Sequence, residues 1–205
     1  MAALPTSGPV TADQAIAETR AWLEHAVIGL NLCPFAKAVH VRGQVRYAVC
    51  ESADPEVLLQ QLADELQQLA ATDAAEVDTC LLIHPAALTD FDDYNQFLDA
   101  AEALVEELDL DGVLQVASFH PQYRFAGTEP GEIENATNQS PYPMLHLLRE
   151  ESIDRAVEAF PEPEAIYEAN QRTLAALGHD GWEALRERWR ADARTAIAAT
   201  PPGRD

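Results

Sequence analysis

The apolar positions in the first half of the chain recur three or four residues apart in three long segments. This spacing predicts helices over residues 15–28, 54–71 and 90–108, with Asp54 as the N-cap of the second. Each segment carries one apolar stripe. Each helix is therefore expected to bury one face against a shared core.

Three short apolar runs lie beside these helices, over residues 45–50, 79–83 and 113–119. The run at 79–83 is wholly apolar, which is typical of a strand buried on both faces. Connections that contain a helix favour parallel neighbouring strands. The pattern predicts an α/β fold: a small central, mostly parallel sheet in β-α-β-α-β order, with additional N- and C-terminal helices. A ferredoxin-like α+β arrangement is the alternative, because strand direction is inferred only from the connections.

The second half of the chain is less regular. Residues 121–142 predict a long loop, and loops of this length in a compact domain are usually functional or disordered. Its aromatic residues argue against disorder. Helices are predicted from Pro143 to about Val157, then to about Leu177, and from Gly181 to Ala199. We expect a flexible tail over 1–10, a single α/β domain over 11–182, and a C-terminal helical extension and tail over 183–205.

Charge narrows the range of partners. The net charge is −22, from 35 carboxylates against 13 lysine and arginine side chains. Such a surface repels nucleic acids and anionic membranes, so neither is expected as a partner. The arginines over 186–194 alternate with acids and are interpreted as a solvated helix face. The chain also shows no signal peptide and no cysteine framework, which predicts a cytoplasmic protein.

Two His-Pro pairs end two of the predicted strands, at His84 and His120. If the strands are parallel, both histidines lie at the carboxyl edge of the sheet, where ligands bind in open α/β folds. They could act as catalytic base and electrophile, or share a metal ion. The alternative is that each imidazole bonds a nearby carbonyl and only caps its strand.

His146 extends this hypothesis. On the predicted helix after Pro143 it shares a face with Arg149 and Glu150. With His84 and His120 it would supply three ligands to a divalent metal that keeps an open position for water. A surface polar triple with a weak ion pair is the alternative.

The other candidate residues lie near these histidines in the predicted fold. Cys33 precedes a proline outside the strands and is a candidate nucleophile, although a packed, inert thiol is the favoured interpretation. The substrate-binding candidates are Asn31, Tyr123, Arg124, Ser140, Tyr142 and Arg149. The arginines would hold an anionic group, because Pro141 and Pro143 lack the N–H donors of a phosphate cradle.

Several familiar signatures are missing, including GxGxxG after a strand, GxxxxGK[ST], HExxH, GxSxG and CxxC. Two hypotheses follow. The first is an enzyme that acts on a small polar metabolite with a histidine-based site, with or without a metal. The second is a non-catalytic module that binds a small ligand or another protein. The substrate and the oligomeric state are not predicted.

Five blocks of sequence resemble one family of uncharacterised bacterial proteins, known as domain of unknown function 1415. The resemblance covers about residues 12–182. It implies a bacterial cytosolic protein, and it brings no activity or catalytic residue to this chain. The blocks are AWLEHAVIGLNLCPFAKAV at 21–39, LLIHP at 81–85, DYNQFLDAAE at 93–102, LQVASFHPQYRFAG at 114–127 and NQSPYPMLHLLREESIDRAV at 138–157.

Overall fold

The computed structural model describes residues 8–159 and 163–199, so most of the two predicted tails lies outside the described residues. This part of the chain contains six α-helices and four strands. The helices are α1 (Ala12–Trp22), α2 (Ala36–Val41), α3 (Pro55–Ala71), α4 (Phe91–Glu107), α5 (Glu150–Ala159) and α6 (Pro163–Ala199). The strands are β1 (Val45–Val49), β2 (Thr79–Ile83), β3 (Leu114–Phe119) and β4 (Met144–Arg149). Along the chain they follow the order α1-α2-β1-α3-β2-α4-β3-β4-α5-α6.

The first helix ends in a widened turn. Thr11 caps α1, its hydroxyl accepting a hydrogen bond from the Gln14 backbone N–H at 3.2 Å. After Trp22 the chain continues as a π-helical turn over Leu23–Ile28. Gly29 follows, and a Cβ at this position would collide with the carbonyl oxygen of His25. The predicted helix over 15–28 is confirmed, and Gly29 allows it to end in this close turn.

The sheet has the order β1-β2-β4-β3 and is mixed. β1 and β2 pair in parallel, whereas β4 pairs antiparallel with both β2 and β3. The predicted α/β class is correct, but the expectation of a mostly parallel sheet is wrong, because β4 lies between two strands expected to be neighbours. The parallel β1–β2 pair also differs from the ferredoxin-like alternative.

β4 replaces the first half of a predicted helix. Residues 144–149 were expected to continue a helix from Pro143 to about Val157, but they form a strand, and α5 begins only at Glu150. The local sequence MLHLLR suits either structure. Residues 144–149 form a strand because β2 and β3 present unpaired backbone donors and acceptors on the two sides of the gap between them. Only a strand in that gap can pair with both.

Helices cover both faces of the sheet. We call the cluster on one face the α3–α4 core; its leucines Leu58, Leu62 and Leu66 are fully buried. Burial of a leucine contributes roughly 1.5–3 kcal/mol. We call the cluster on the other face the α1–α6 core. Its members include Trp22, Ala26, Leu81, Met144, Leu174, Trp182 and Trp189.

The C-terminal helix belongs to this second core. α6 bends at Gly178, whose φ of 64° lies in the left-handed region that glycine adopts without strain. Beyond the bend, Leu185, Trp189 and Ala193 are buried in the α1–α6 core. The boundary expected at residue 183 therefore falls inside a helix that packs on the domain. None of the helices in residues 8–159 and 163–199 is long and apolar enough to cross a membrane.

Candidate functional site

The two His-Pro histidines lie at one edge of the sheet. β1 and β2 run in the same direction, and β3 shares it, because both β2 and β3 are antiparallel to β4. The last residues of β2 and β3 both pair with Met144, the first residue of β4. His84 and His120 come one residue later, so they flank the start of β4. The structure therefore brings this predicted pair to the carboxyl edge of the sheet.

His84 is fully buried. Its Nδ1–H donates to the carbonyl oxygen of Ala87 at 3.0 Å, because a carbonyl can only accept. Its Nε2 is buried and has no hydrogen-bond partner in the described part of the chain. Burial, with a smaller contribution from His120, lowers the pKa of His84 to about 4. His84 is therefore a neutral ring that closes the turn after β2.

His120 is also buried, and both of its nitrogens are used. Nε2–H donates to the Leu88 carbonyl oxygen at 3.2 Å, and Nδ1 accepts the Gln122 backbone N–H at 3.0 Å. These partners fix one neutral tautomer. Burial lowers the pKa of His120, opposed by the Leu88 carbonyl and the Asp90 carboxylate. A metal ion or a substrate proton would have to displace one of these bonds.

Tyr94 of α4 lies between the two histidines. Its ring centroid is 5.8 Å from that of His84 and 5.0 Å from that of His120. Its hydroxyl donates to the Met144 carbonyl at 2.8 Å and accepts the Phe119 backbone N–H at 3.0 Å. Tyr94 thus joins α4 to β3 and β4 where the sheet ends. We call these three residues the His-Tyr-His stack.

His146 does not join the stack. Along β4 it alternates with Leu145 and Leu147, which point into the α3–α4 core, so His146 points to the opposite face. There its ring lies 5.9 Å from Phe119, and its Nε2–H donates to the Thr79 hydroxyl at 2.7 Å. Burial lowers the pKa of His146 to about 4.

The sheet therefore separates His146 from His84 and His120, and the predicted three-histidine metal site is not assembled. Within residues 8–159 and 163–199, no group of three or more histidine, cysteine or acidic side chains is placed to hold a metal ion. Side chains that alternate along a strand cannot meet across the sheet, and the helix predicted around His146 concealed this constraint.

Arg149 has a structural role rather than the predicted anchoring one. Its guanidinium donates to the carbonyl oxygens of Leu69 and Thr72 at 2.8 and 2.7 Å, and to that of Val77 at 3.0 Å. Leu69 lies in the last turn of α3, whose final carbonyls lack helical partners. Arg149 caps that helix end and holds it against β4.

Four of the remaining candidates, Ser140, Tyr142, Cys33 and Asn31, lie outside the His-Tyr-His stack. The Ser140 hydroxyl donates to the Tyr142 carbonyl oxygen at 2.6 Å, and the Tyr142 hydroxyl donates to Glu18 of α1 at 2.9 Å. Burial, together with the Glu18 carboxylate, raises the pKa of Tyr142. Cys33 packs against the α1–α6 core, on the other face from the His-Tyr-His stack. Asn31 is exposed, with a φ of 55° that ends the turn after Gly29.

A cleft of about 400 Å³ opens beside the stack, and we call it the α4–α6 cleft. One wall is the start of α4, where the Phe91 ring lines the cleft and its centroid lies 5.4 Å from that of His120, which is not a lining residue. The loop after β3 forms a second wall, and α6 contributes the third. The lining residues are Asp90, Phe91, Asp92, Pro121, Gln122, Tyr123, Arg124, Pro130, Gly131, Gln139 and Arg186. Of the predicted substrate-binding residues, Tyr123 and Arg124 lie in this lining.

The loop wall of the cleft is held from inside by Asn135. This residue, in the 3₁₀ helix Ile133–Thr137, is fully buried. Its Oδ1 accepts the Phe125 backbone N–H at 3.0 Å and the Thr128 hydroxyl at 2.8 Å, and its Nδ2 donates to the Glu129 carbonyl. Residues 121–142 were expected to lack regular structure, but these bonds fix the loop in one conformation.

Arg186 is the main lining residue that the sequence analysis did not select. Its stretch was interpreted as a solvated helix face within a C-terminal extension. The spacing of Arg186 from two tryptophans could have indicated its position. Arg186 lies four residues after Trp182 and three before Trp189, so it adjoins the buried stripe of α6. Phe91 and Asp92 lie within the helix predicted over residues 90–108 and were not candidate site residues.

The fold and the cleft define an α/β protein with helices on both faces of a mixed sheet and an open pocket at one sheet edge. The model of a family described as "Protein of unknown function (DUF1415)" matches residues 14–184. The chain belongs to this family. No curated protein and no solved structure matches the chain. Arg186 lies two residues beyond the segment that the family model covers.

Proposed function

We propose that this protein binds a small polar metabolite in the α4–α6 cleft and does not transform it with the two histidines. One observation carries the proposal: a cleft of about 400 Å³ lies at the carboxyl edge of the strands, lined from three separate elements. This volume falls in the range of pockets that hold small molecules. The position also follows the rule for open α/β sheets.

The lining supports a polar ligand. The side-chain amides of Gln122 and Gln139 make no hydrogen bond within residues 8–159 and 163–199, so they are available to a ligand. Tyr123 and Phe91 supply an apolar wall, with their ring centroids 5.5 Å apart. Polar groups that converge on such a wall fix the orientation of a bound molecule.

Binding is favoured over histidine catalysis because the imidazoles lack free, suitably placed nitrogens. His120 uses both nitrogens for backbone bonds and does not line the cleft. His84 is fully buried and beyond the cleft lining. A general base must reach the proton that it removes, directly or through one water. Cys33, the candidate nucleophile, packs on the opposite face of the sheet.

The test compares metabolite retention by the wild type and by two tryptophan variants. Gln122→Trp fills the cleft from an exposed position, and Gln60→Trp places the same bulk on an exposed position of α3. Each protein is dialysed to equilibrium against a water-soluble extract of bacterial metabolites, and retained compounds are measured by mass spectrometry.

We expect one or a few compounds to be retained by the wild type and by Gln60→Trp, with retention at least tenfold lower for Gln122→Trp. Equal retention by all three proteins would contradict the proposal. A retained compound that is converted to a product of different mass would support the enzyme hypothesis instead.

A further inference from the structure

We infer that the ligand of the α4–α6 cleft carries an anionic group, a carboxylate or a phosphate, and that Arg124 and Arg186 hold it from two different walls. This inference rests on the proposed function and names the ligand class of that site. Arg124 belongs to the loop after β3 and Arg186 to α6, so the two guanidinium groups reach the cleft from elements 62 positions apart in sequence.

Two arginines in one cleft point to an anionic ligand because the rest of the chain is strongly acidic. The chain carries 13 lysine and arginine side chains against 35 carboxylates. The cleft lining, in contrast, contains two arginines and two aspartates, so its formal charge is balanced. The net charge of the chain repels an anion, whereas the lining of the cleft adds no net repulsion of its own.

The two aspartates of the lining are already engaged. Asp90 is the N-cap of α4, and its carboxylate accepts the backbone N–H groups of Asp92 and Asp93 at 2.9 and 3.2 Å. These amides are therefore not donors to a ligand. Asp92 accepts a hydrogen bond from Arg124 at 2.7 Å. An anionic ligand would have to be bound by the arginines and not by the start of the helix.

Both arginines retain donors for a ligand. A guanidinium has five N–H donors. Within the described residues, Arg124 donates from Nη2 to Asp92, and Arg186 donates from Nη1 to Glu183 at 2.8 Å. The remaining donors of each side chain can form the paired hydrogen bonds that arginine makes with carboxylates and phosphates.

Arg124 is also held in position before any ligand binds. Its guanidinium carbon lies 5.4 Å from the centroid of the Phe91 ring, which is within cation–π distance. Asp92 fixes one end of the same group. Pre-positioning of a flexible side chain reduces the entropy lost on binding. Arg124 is therefore the oriented partner, and Arg186 closes the site from α6.

The test uses two simple anions, inorganic phosphate and succinate, each titrated at constant ionic strength. Backbone amide shifts of Tyr123, Arg124 and Arg186 in nuclear magnetic resonance spectra report binding. We expect saturable shifts with a Kd in the millimolar range, as for small ligands with few contacts. Phosphate alone would assign a phosphorylated ligand, succinate alone a carboxylate, and binding of both would support the shared anionic class.

Variants then separate the two arginines from general charge. Arg124→Gln and Arg186→Gln should each weaken the binding at least tenfold, with the unfolding midpoint unchanged. Arg172→Gln is the matched control, because Arg172 lies on α6 in an exposed pair with Glu168 outside the cleft. It should change the Kd less than twofold. Asp92→Asn should tighten binding severalfold, because it removes a negative charge from the lining while the amide oxygen can still accept the hydrogen bond that positions Arg124.

Two results would overturn the inference. In the first, neither anion shifts the three amides, although the dialysis experiment retains a neutral or cationic compound in the cleft; the anionic class then fails and the proposed function stands. In the second, Arg172→Gln weakens binding as much as the two cleft variants, which would show that the anions follow only the general charge of α6. If dialysis itself shows no cleft-dependent retention, the proposed function fails independently.

Discussion

The His-Tyr-His stack and the α4–α6 cleft lie side by side at the same edge of the sheet, yet they differ in the bonding capacity that remains. In the stack, every polar atom except His84 Nε2 already has a partner, and both histidines are fully buried. In the cleft, two glutamine amides and most donors of two arginines remain available. A residue at the carboxyl edge of a strand is thus a functional candidate only if its hydrogen bonds are not already used by the fold.

The largest effect is expected from a substitution in the His-Tyr-His stack, which tests whether the stack stabilises the fold. Tyr94→Phe removes one donor and one acceptor, so the buried Met144 carbonyl and the partly buried Phe119 N–H both lose this partner. We expect a loss of about 2–4 kcal/mol in the free energy of unfolding, measured in urea. Tyr167→Phe, at an exposed position of α6, is the control and should cost about 0.5 kcal/mol or less. If Tyr94→Phe had wild-type stability, the stack would not have the structural role that distinguishes it from the cleft.

The next effect concerns Arg149, which was predicted to bind an anion. Arg149→Met should destabilise the fold by roughly 2 kcal/mol, because three carbonyl groups lose a charged donor. Phosphate binding in the cleft should be unchanged. Arg155→Met removes an exposed pair with Glu151 and should cost about 0.5 kcal/mol or less. If Arg149→Met weakened phosphate binding without loss of stability, Arg149 would belong to the ligand site.

The free energy of unfolding should fall at acidic pH, because His84 is neutral in the folded protein. Its pKa is lowered to about 4 in the folded state, so below about pH 6.5 the unfolded chain binds the proton more strongly. Stability from this group is complete above the unfolded pKa and is lost as the pH falls toward the folded one. By linkage this loss is roughly 2 kcal/mol between about pH 6.5 and pH 5.

The measurement is the free energy of unfolding against pH for the wild type and His84→Asn, whose side-chain amide can still donate to Ala87. Wild-type stability relative to the variant should decline over that range. His179→Asn, at an exposed position of α6, is the control variant. Parallel curves for the wild type and His84→Asn would mean that His84 does not stay neutral in the fold.

The smallest effect is expected at Cys33. Its thiol is partly buried against the α1–α6 core, so Cys33→Ala should cost about 1 kcal/mol or less. Metabolite retention in the cleft should match that of the wild type. Loss of retention or of any conversion on this substitution alone would return Cys33 to the list of functional residues.

Local sequence signals predicted the parts of the molecule that depend on near neighbours. The helices α3 and α4 follow from their apolar stripes, and α3 also from its N-cap Asp54, which accepts a backbone N–H as expected. Asp90 caps α4 in the same way. β2 follows from its wholly apolar run and is fully buried. The position of His84 and His120 at one sheet edge could be inferred from the order of these elements.

The predictions were wrong where contacts with distant segments of the chain determine the local structure. MLHLLR has the composition of a helix or of a strand, and it is a strand only because β2 and β3 leave a place between them. That single change moved His146 to the other face of the sheet and turned Arg149 toward the end of α3. The cleft depends on α6 in the same way, since Arg186 lies beside the loop after β3 only when Trp182 and Trp189 are packed on α1.

The sequence by itself determined the helix and strand segments with strong periodicity, the balance of charge, and the order that places two histidines at one edge, because these depend on local spacing. The tertiary structure alone decided the direction of β4, the long-range partners of His120, His146 and Arg149, and the existence of the α4–α6 cleft. The physical reason is that hydrogen-bond capacity is shared across the fold. Whether His120 or Arg149 is free to act depends on carbonyl groups that are far away in sequence.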